Sequence, residues 1–220
     1  MPRQVVLYFY REFNISTIAL LTLIAIFIAL AFVLPVECSY ENHLLENLEV
    51  VILFGGFCFS LFNLRRYLFE MCMKFYLACS LIFLLMIGRE LSWGRVFYPI
   101  GVRENGEEIY IGIHNLWYGD YLMFFNAILI CIILFCLGYF YAQSWQKNIK
   151  WNIPLWEFLI FIIMAILSQC VFEKEYLPIG DLNQMFEECT ELLSYIAIVF
   201  CTCKISFKRI YLSVKYFSII

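Results

Sequence analysis

The chain has 220 residues, 64% of them hydrophobic and 15% charged, with a mean hydropathy of +0.82 and a net charge of −3. A soluble domain carries roughly 45–50% apolar and about 25% charged residues, so one aqueous core cannot hide this much apolar surface. The composition excludes an ordinary soluble domain, offers no basic excess for a nucleic-acid partner, and requires a lipid bilayer as second solvent.

A run of about 20 apolar residues crosses the ~30 Å hydrocarbon core. In chain order six runs qualify, some only with their polar shoulders: 15–36, 48–64, 75–93, 120–142, 154–172 and 188–204. The first follows Arg3 and Arg11, is long, and lacks a small-x-small cleavage site, so it reads as a retained span. The third and sixth are the least clean, because Arg89, Glu90 and Glu191 sit near their ends. The connection 94–119 is long enough for structure of its own, a hairpin or a re-entrant loop. Gly101, Gly106 and Gly112 punctuate it, and Glu107-Glu108-Ile109-Tyr110-Ile111 reads as a short strand. Residues 205–220 mix Lys and Arg with Phe207, Tyr211, Tyr216 and Phe217, a basic aromatic tail suited to the headgroup region. The expected fold is an all-α polytopic bundle, with residues 1–204 as the transmembrane domain.

Charge tests this division. Six spans leave seven polar segments that alternate sides. One side collects Arg3, Arg11, Arg65, Arg66, Lys74, Lys147, Lys150, Lys204, Lys208, Arg209 and Lys215, leaving Arg89, Arg95, Arg103 and Lys174 opposite. The positive-inside rule makes the basic side cytoplasmic and puts both ends of the chain there. Of the acids only Glu12, Glu70 and Glu157 fall on that side. The remaining carboxylates therefore concentrate outside, at the expected outer face of a cell membrane.

Most of the 10 cysteines lie within spans and act as small apolar residues. Cys38, Cys170 and Cys189 fall near the outer face, where an oxidising compartment permits a disulfide. Asn14-Ile15-Ser16 matches a glycosylation sequon on the wrong side for its use.

Four polar groups gather near the outer boundary. Glu46 and Glu49 open the second span on one helical face, and Glu187, Glu188 and Glu191 open the sixth. Between them come Arg89, Glu90, Trp93 and Arg95 at the end of the third span, and His114-Asn115 before the fourth. A carboxylate at the centre of a membrane helix costs ~2.5–3.5 kcal/mol, less near an interface. First-turn acids meet the helix dipole favourably, which accounts for Glu46, Glu49, Glu187 and Glu188 but not for Glu90 at a helix C-terminus. Arg89 points about 100° away from Glu90, so Glu90 is expected to enter the bundle and to need an arginine, a histidine, a cation or a proton. An ion pair with Arg89 or Arg95 is the structural alternative. A divalent cation on Glu90, His114 and Glu188 or Glu191 is chemically allowed, although no ligand spacing marks it.

Arg89-Glu90-Leu91-Ser92-Trp93-Gly94-Arg95, followed by His114-Asn115-Leu116, resembles a pattern in uncharacterised bacterial multispanning inner-membrane proteins. There an acidic-x-Ser-Trp-Gly motif ends one span and a His-Asn element follows in the next outer loop. The chain departs from the commoner pattern at Arg89, where a second Glu is usual, at Arg95, where Gln is usual, and at Ile113, where Leu is usual. The resemblance implies a bacterial inner membrane and a grouped outer-face site.

Three functions follow in rank order. The first is an outer-boundary site that binds or acts on a lipid-linked or amphipathic substrate. In it Glu90 is base or cation ligand and His114 its acid/base partner. Arg89, Arg95 and Trp93 contact the substrate, and Glu188 and Glu191 supply further carboxylates. The second is a non-catalytic subunit or assembly factor for a membrane protein partner, its polar cluster tying helices together. The third is a transporter, disfavoured because no charged residue falls near the middle of a span and no repeat pairs the halves.

Overall fold

The computed structural model describes residues 6–66, 72–103, 106–180 and 182–209. These form a mostly helical protein with two small sheets. The helices are α1 (Ile15–Ala31), α2 (Leu44–Arg66), α3 (Met73–Glu90), α4 (Gly119–Lys147), α5 (Leu155–Ile166) and α6 (Leu182–Lys204). Three helical stretches, Val36–Arg66, Gly119–Lys147 and Leu155–Phe172, are long and apolar enough to cross a membrane, and Ile15–Ala31 is a shorter apolar helix. Helices α3 and α6 carry the acids and bases that interrupt their hydropathy.

Helix α6 is the hub. It packs on α1, α2 and α5, while α2 leads through α3 to α4 at the edge of the bundle. The stretch of α6 from Cys189 through Tyr195, about two helical turns, is buried all round. Helix α4 buries a stripe of Leu129, Ile133, Cys136, Phe140 and Ser144 against its neighbours. Its other faces leave Phe124, Ile128, Leu134 and Phe135 exposed. A helix apolar on every side suits lipid and not water.

The sheets were only partly foreseen. Strands β2 (Pro99–Val102) and β3 (Glu108–Tyr110) pair antiparallel as the hairpin expected in 94–119. The second sheet has no counterpart in the all-α expectation. It joins β1 (Val6–Tyr10), β4 (Ile149–Pro154) and β5 (Ser206–Arg209), with β4 in the centre, parallel to β1 and antiparallel to β5. Three segments far apart in sequence thus meet at one end of the bundle. An aromatic cluster fastens them to the helices: Trp151 stacks on Phe140 with ring centres 4.9 Å apart. Phe207 meets Phe75, Phe140 and Trp151 edge-on. Part of the expected tail is therefore a docked strand, and residues 210–220 lie outside the described ones.

A buried ion pair closes the same end. Glu157, in the first turn of α5, accepts hydrogen bonds from Ser16 at 2.6 Å, Thr17 at 3.0 Å and Lys204 at 2.8 Å, and so ties α1, α5 and α6. All 10 cysteines, including Cys38, Cys170 and Cys189, are free thiols.

Candidate functional site

The opposite end of the bundle holds the acidic residues. Helices α2 and α6 begin earlier than hydropathy suggests, at Leu44 and Leu182. Polar residues such as Asn183, which donates to the Leu177 carbonyl at 2.9 Å, are paid out inside the first turns. The earlier starts change the meaning of the acids. Glu46 alone remains in a first turn, where it accepts the Asn42 backbone N–H at 2.5 Å. Glu49, Glu187 and Glu188 lie deeper, beyond the reach of a first-turn dipole argument.

Glu90 enters the bundle as expected and is 8% exposed. Its neighbour is a residue that the sequence reading passed over. The Tyr195 hydroxyl lies 2.6 Å from Glu90 Oε1 and 2.5 Å from Glu191 Oε1. A hydroxyl has one hydrogen to donate, so two such short contacts require a second proton on one of the carboxyls. Beyond Glu90 sits Glu49, fully buried, with neither carboxyl oxygen receiving a hydrogen bond from an N–H or hydroxyl donor. The Glu49 and Glu90 carboxyls are close enough to act on each other electrostatically. A fully buried carboxylate without a donor is costly, and a proton on Glu49 lowers that cost. The arrangement is a chain of oxygen groups, Glu49–Glu90–Tyr195–Glu191, crossing from α2 through α3 to α6.

Arg89 caps the chain. Its Nη1 lies 2.6 Å from Glu191 Oε1, and its Nε is 4.0 Å from Glu90 Oε1. The arginine is half exposed, whereas both glutamates are buried. The other Glu191 oxygen accepts a hydrogen bond from Ser168 at 3.4 Å. Ser168 comes from Leu167–Phe172, a wide π-helical turn that continues α5. Such turns re-aim side chains out of the regular helical register.

Arg95 and Trp93 lie apart from this chain of carboxyls. Arg95 pairs with Glu41, which also accepts the Ser92 hydroxyl at 3.1 Å. Nearby, the Tyr110 hydroxyl donates to Glu108 at 2.6 Å; burial and that carboxylate push its pKa up to about 12. These contacts lock the hairpin over the segment between α1 and α2. Ser92, Trp93 and Gly94 take φ of 42°, 54° and 90°, a left-handed turn that reverses the chain. The Trp93 ring then folds back on Gly88, where an added Cβ would meet the indole at 2.7 Å. The Tyr118 hydroxyl donates to the Trp93 carbonyl at 2.7 Å and holds the turn. Gly88→Ala is expected to cost about 1–3 kcal/mol by overpacking, seen as a lower melting temperature with altered tryptophan emission.

The structure does not bring His114 to the carboxyl chain. Its Nδ1 faces Asp120 Oδ1 at 3.7 Å, with both side chains 85% exposed. It borders a shallow apolar cleft of about 460 Å³ with Leu122, Met123 and Ile130. Glu188 is half-buried on α6 beside Glu46 and Glu49. Among the described residues no three of His, Cys, Asp and Glu are arranged to hold a metal ion, so the combination of Glu90, His114 and Glu188 is not assembled.

Tyr195 follows Glu191 by one helical turn, and that spacing was the available signal for it. Serine 168, buried in an apolar run, left none. Comparison with protein-family models, curated proteins and solved structures returns no match for this chain.

Proposed function

We propose that this is a six-span protein of the bacterial inner membrane with both ends cytoplasmic. Its Glu49–Glu90–Tyr195–Glu191 chain is a proton-exchanging site at the outer boundary, which binds a lipid-linked or amphipathic substrate. The sheet supports the topology, because β1, β4 and β5 gather the segments that carry Lys150, Lys208 and Arg209 at one end. Contacts of Glu41 with Arg95, and of Gln184 with the Ser39 carbonyl, gather the acid-rich segments at the other.

The observation that carries the functional reading is Tyr195 between two carboxyls, with Glu49 next in line. Oxygen groups at 2.5–2.6 Å pass a proton by exchanging donor and acceptor roles. Glu90 thus has Tyr195 and Glu191 as its acid/base partners, in place of His114. Arg89 balances the negative charge left when a proton departs.

Infrared difference spectroscopy of the protein in lipid nanodiscs tests this at neutral pH. The expected result is a carbonyl band from protonated carboxyl groups, diminished in Glu49→Gln and shifted in Tyr195→Phe. Absence of any protonated-carboxyl band at pH near 7 refutes the reading.

The Arg89–Glu191 contact favours a second reading, an assembly subunit in which the cluster is a cross-brace. That reading expects Glu90→Gln to lose about 1–3 kcal/mol, the cost of an unpaired buried group. The proton-exchanging reading expects this variant to melt close to wild type, since neutral Gln replaces a group that already shares protons.

A further inference from the structure

The geometry points to the ligand class of this site: it receives a primary ammonium group, held by Glu49 with the carboxyls of Glu90 and Glu188. This rests on the proton-exchanging reading, with the ammonium replacing bound protons. Glu49 is the decisive residue. Both of its oxygens are fully buried and receive no donor. An unmatched buried acceptor costs roughly 1–3 kcal/mol, and a ligand N–H removes that cost.

Charge argues for a cation. Glu46 and Glu49 of α2, Glu90 of α3 and Glu187, Glu188 and Glu191 of α6 outnumber the basic side chains that act on them, Arg89 and, at Glu187, Lys174. Arg89 is committed to Glu191 and Arg95 to Glu41, so neither arginine expected to contact the substrate stands uncommitted for an anion. An ammonium sends three N–H donors outward to separate acceptors at about 2.7–2.9 Å, and so draws on carboxyls from different helices.

Such an ammonium arrives either on an aminophospholipid or as a free diamine from water. Native mass spectrometry of wild type equilibrated with phosphatidylethanolamine and phosphatidylcholine distinguishes the first source. Thermal melting with putrescine in nanodiscs lacking phosphatidylethanolamine distinguishes the second. Wild type should retain phosphatidylethanolamine over phosphatidylcholine by about tenfold, one charge-assisted hydrogen bond's worth, or be stabilised by putrescine. Glu49→Gln and the more conservatively placed Glu188→Gln should each lose that preference. Equal retention of the two lipids with no putrescine effect overturns the proposal, as does a preference undiminished in both variants. If the infrared band persists while amines do nothing, the ammonium inference fails and proton exchange stands; if the band is absent, the underlying reading has failed.

Discussion

Lys204→Met should lower stability by about 3 kcal/mol, measured as unfolding in mixed micelles. Removing one member of a buried ion pair typically costs about 3–5 kcal/mol, because the other charge remains in place without compensation. Glu157 is 1% exposed and Lys204 25%, so water reaches the lysine and draws the effect toward the lower bound. Ser16 and Thr17 still donate to Glu157 in the variant, but hydroxyls do not cancel its charge. Adding Glu157→Gln to Lys204→Met should recover most of the loss. A single variant as stable as wild type would mean that the pair contributes little to joining α1, α5 and α6.

The second large effect is expected at Gly119→Ala. A Cβ there would lie 2.0 Å from the Ile113 carbonyl oxygen and 3.2 Å from the His114 Cα. Both are backbone atoms, so no side chain can swing aside, and the cost should reach about 3 kcal/mol, the upper part of the overpacking range. The turn at Ile113–Asn115 must move away from the start of α4. Melting temperature and proteolytic cutting within 94–119 measure the change. The infrared signal of the carboxyl chain should survive, because His114 is not part of that chain. Its loss would instead join the two sites and return His114 to the chemistry.

Hydropathy located the helices because apolar side chains on all faces of α4 and α5 have no other solvent than lipid. It misjudged the starts of α2 and α6, where Asn47, Asn183 and Gln184 look like loop residues. Their amides bond to carbonyls, Asn47 to His43 at 2.6 Å, Asn183 to Leu177 and Gln184 to Ser39, and so hold polar residues within helix starts. The β1–β4–β5 sheet escaped notice because Tyr8, Trp151 and Phe207 suit an aromatic belt as well as a strand. Glu90 was legible as an inward carboxylate from its place at the end of an apolar run. Its partner Tyr195 was marked only by its spacing from Glu191, since a tyrosine among aliphatic residues has the same appearance whether it packs or donates. The Ser-Trp-Gly segment drew attention as chemistry and proves to shape a left-handed turn.

The sheet also sets an order of assembly. Its central strand, Ile149–Pro154, leaves the ribosome long after Val6–Tyr10 and before Ser206–Arg209. Strand β1 therefore waits through the synthesis of four helices for its first partner, and β4 keeps one edge open until α6 has been delivered. Closure at that end waits for α6, when β5 and Lys204 arrive together to cover the strand edge and neutralise Glu157. A chain stalled before α6 would present an uncovered strand and a bare carboxylate, both marks by which quality-control proteases distinguish unfinished products.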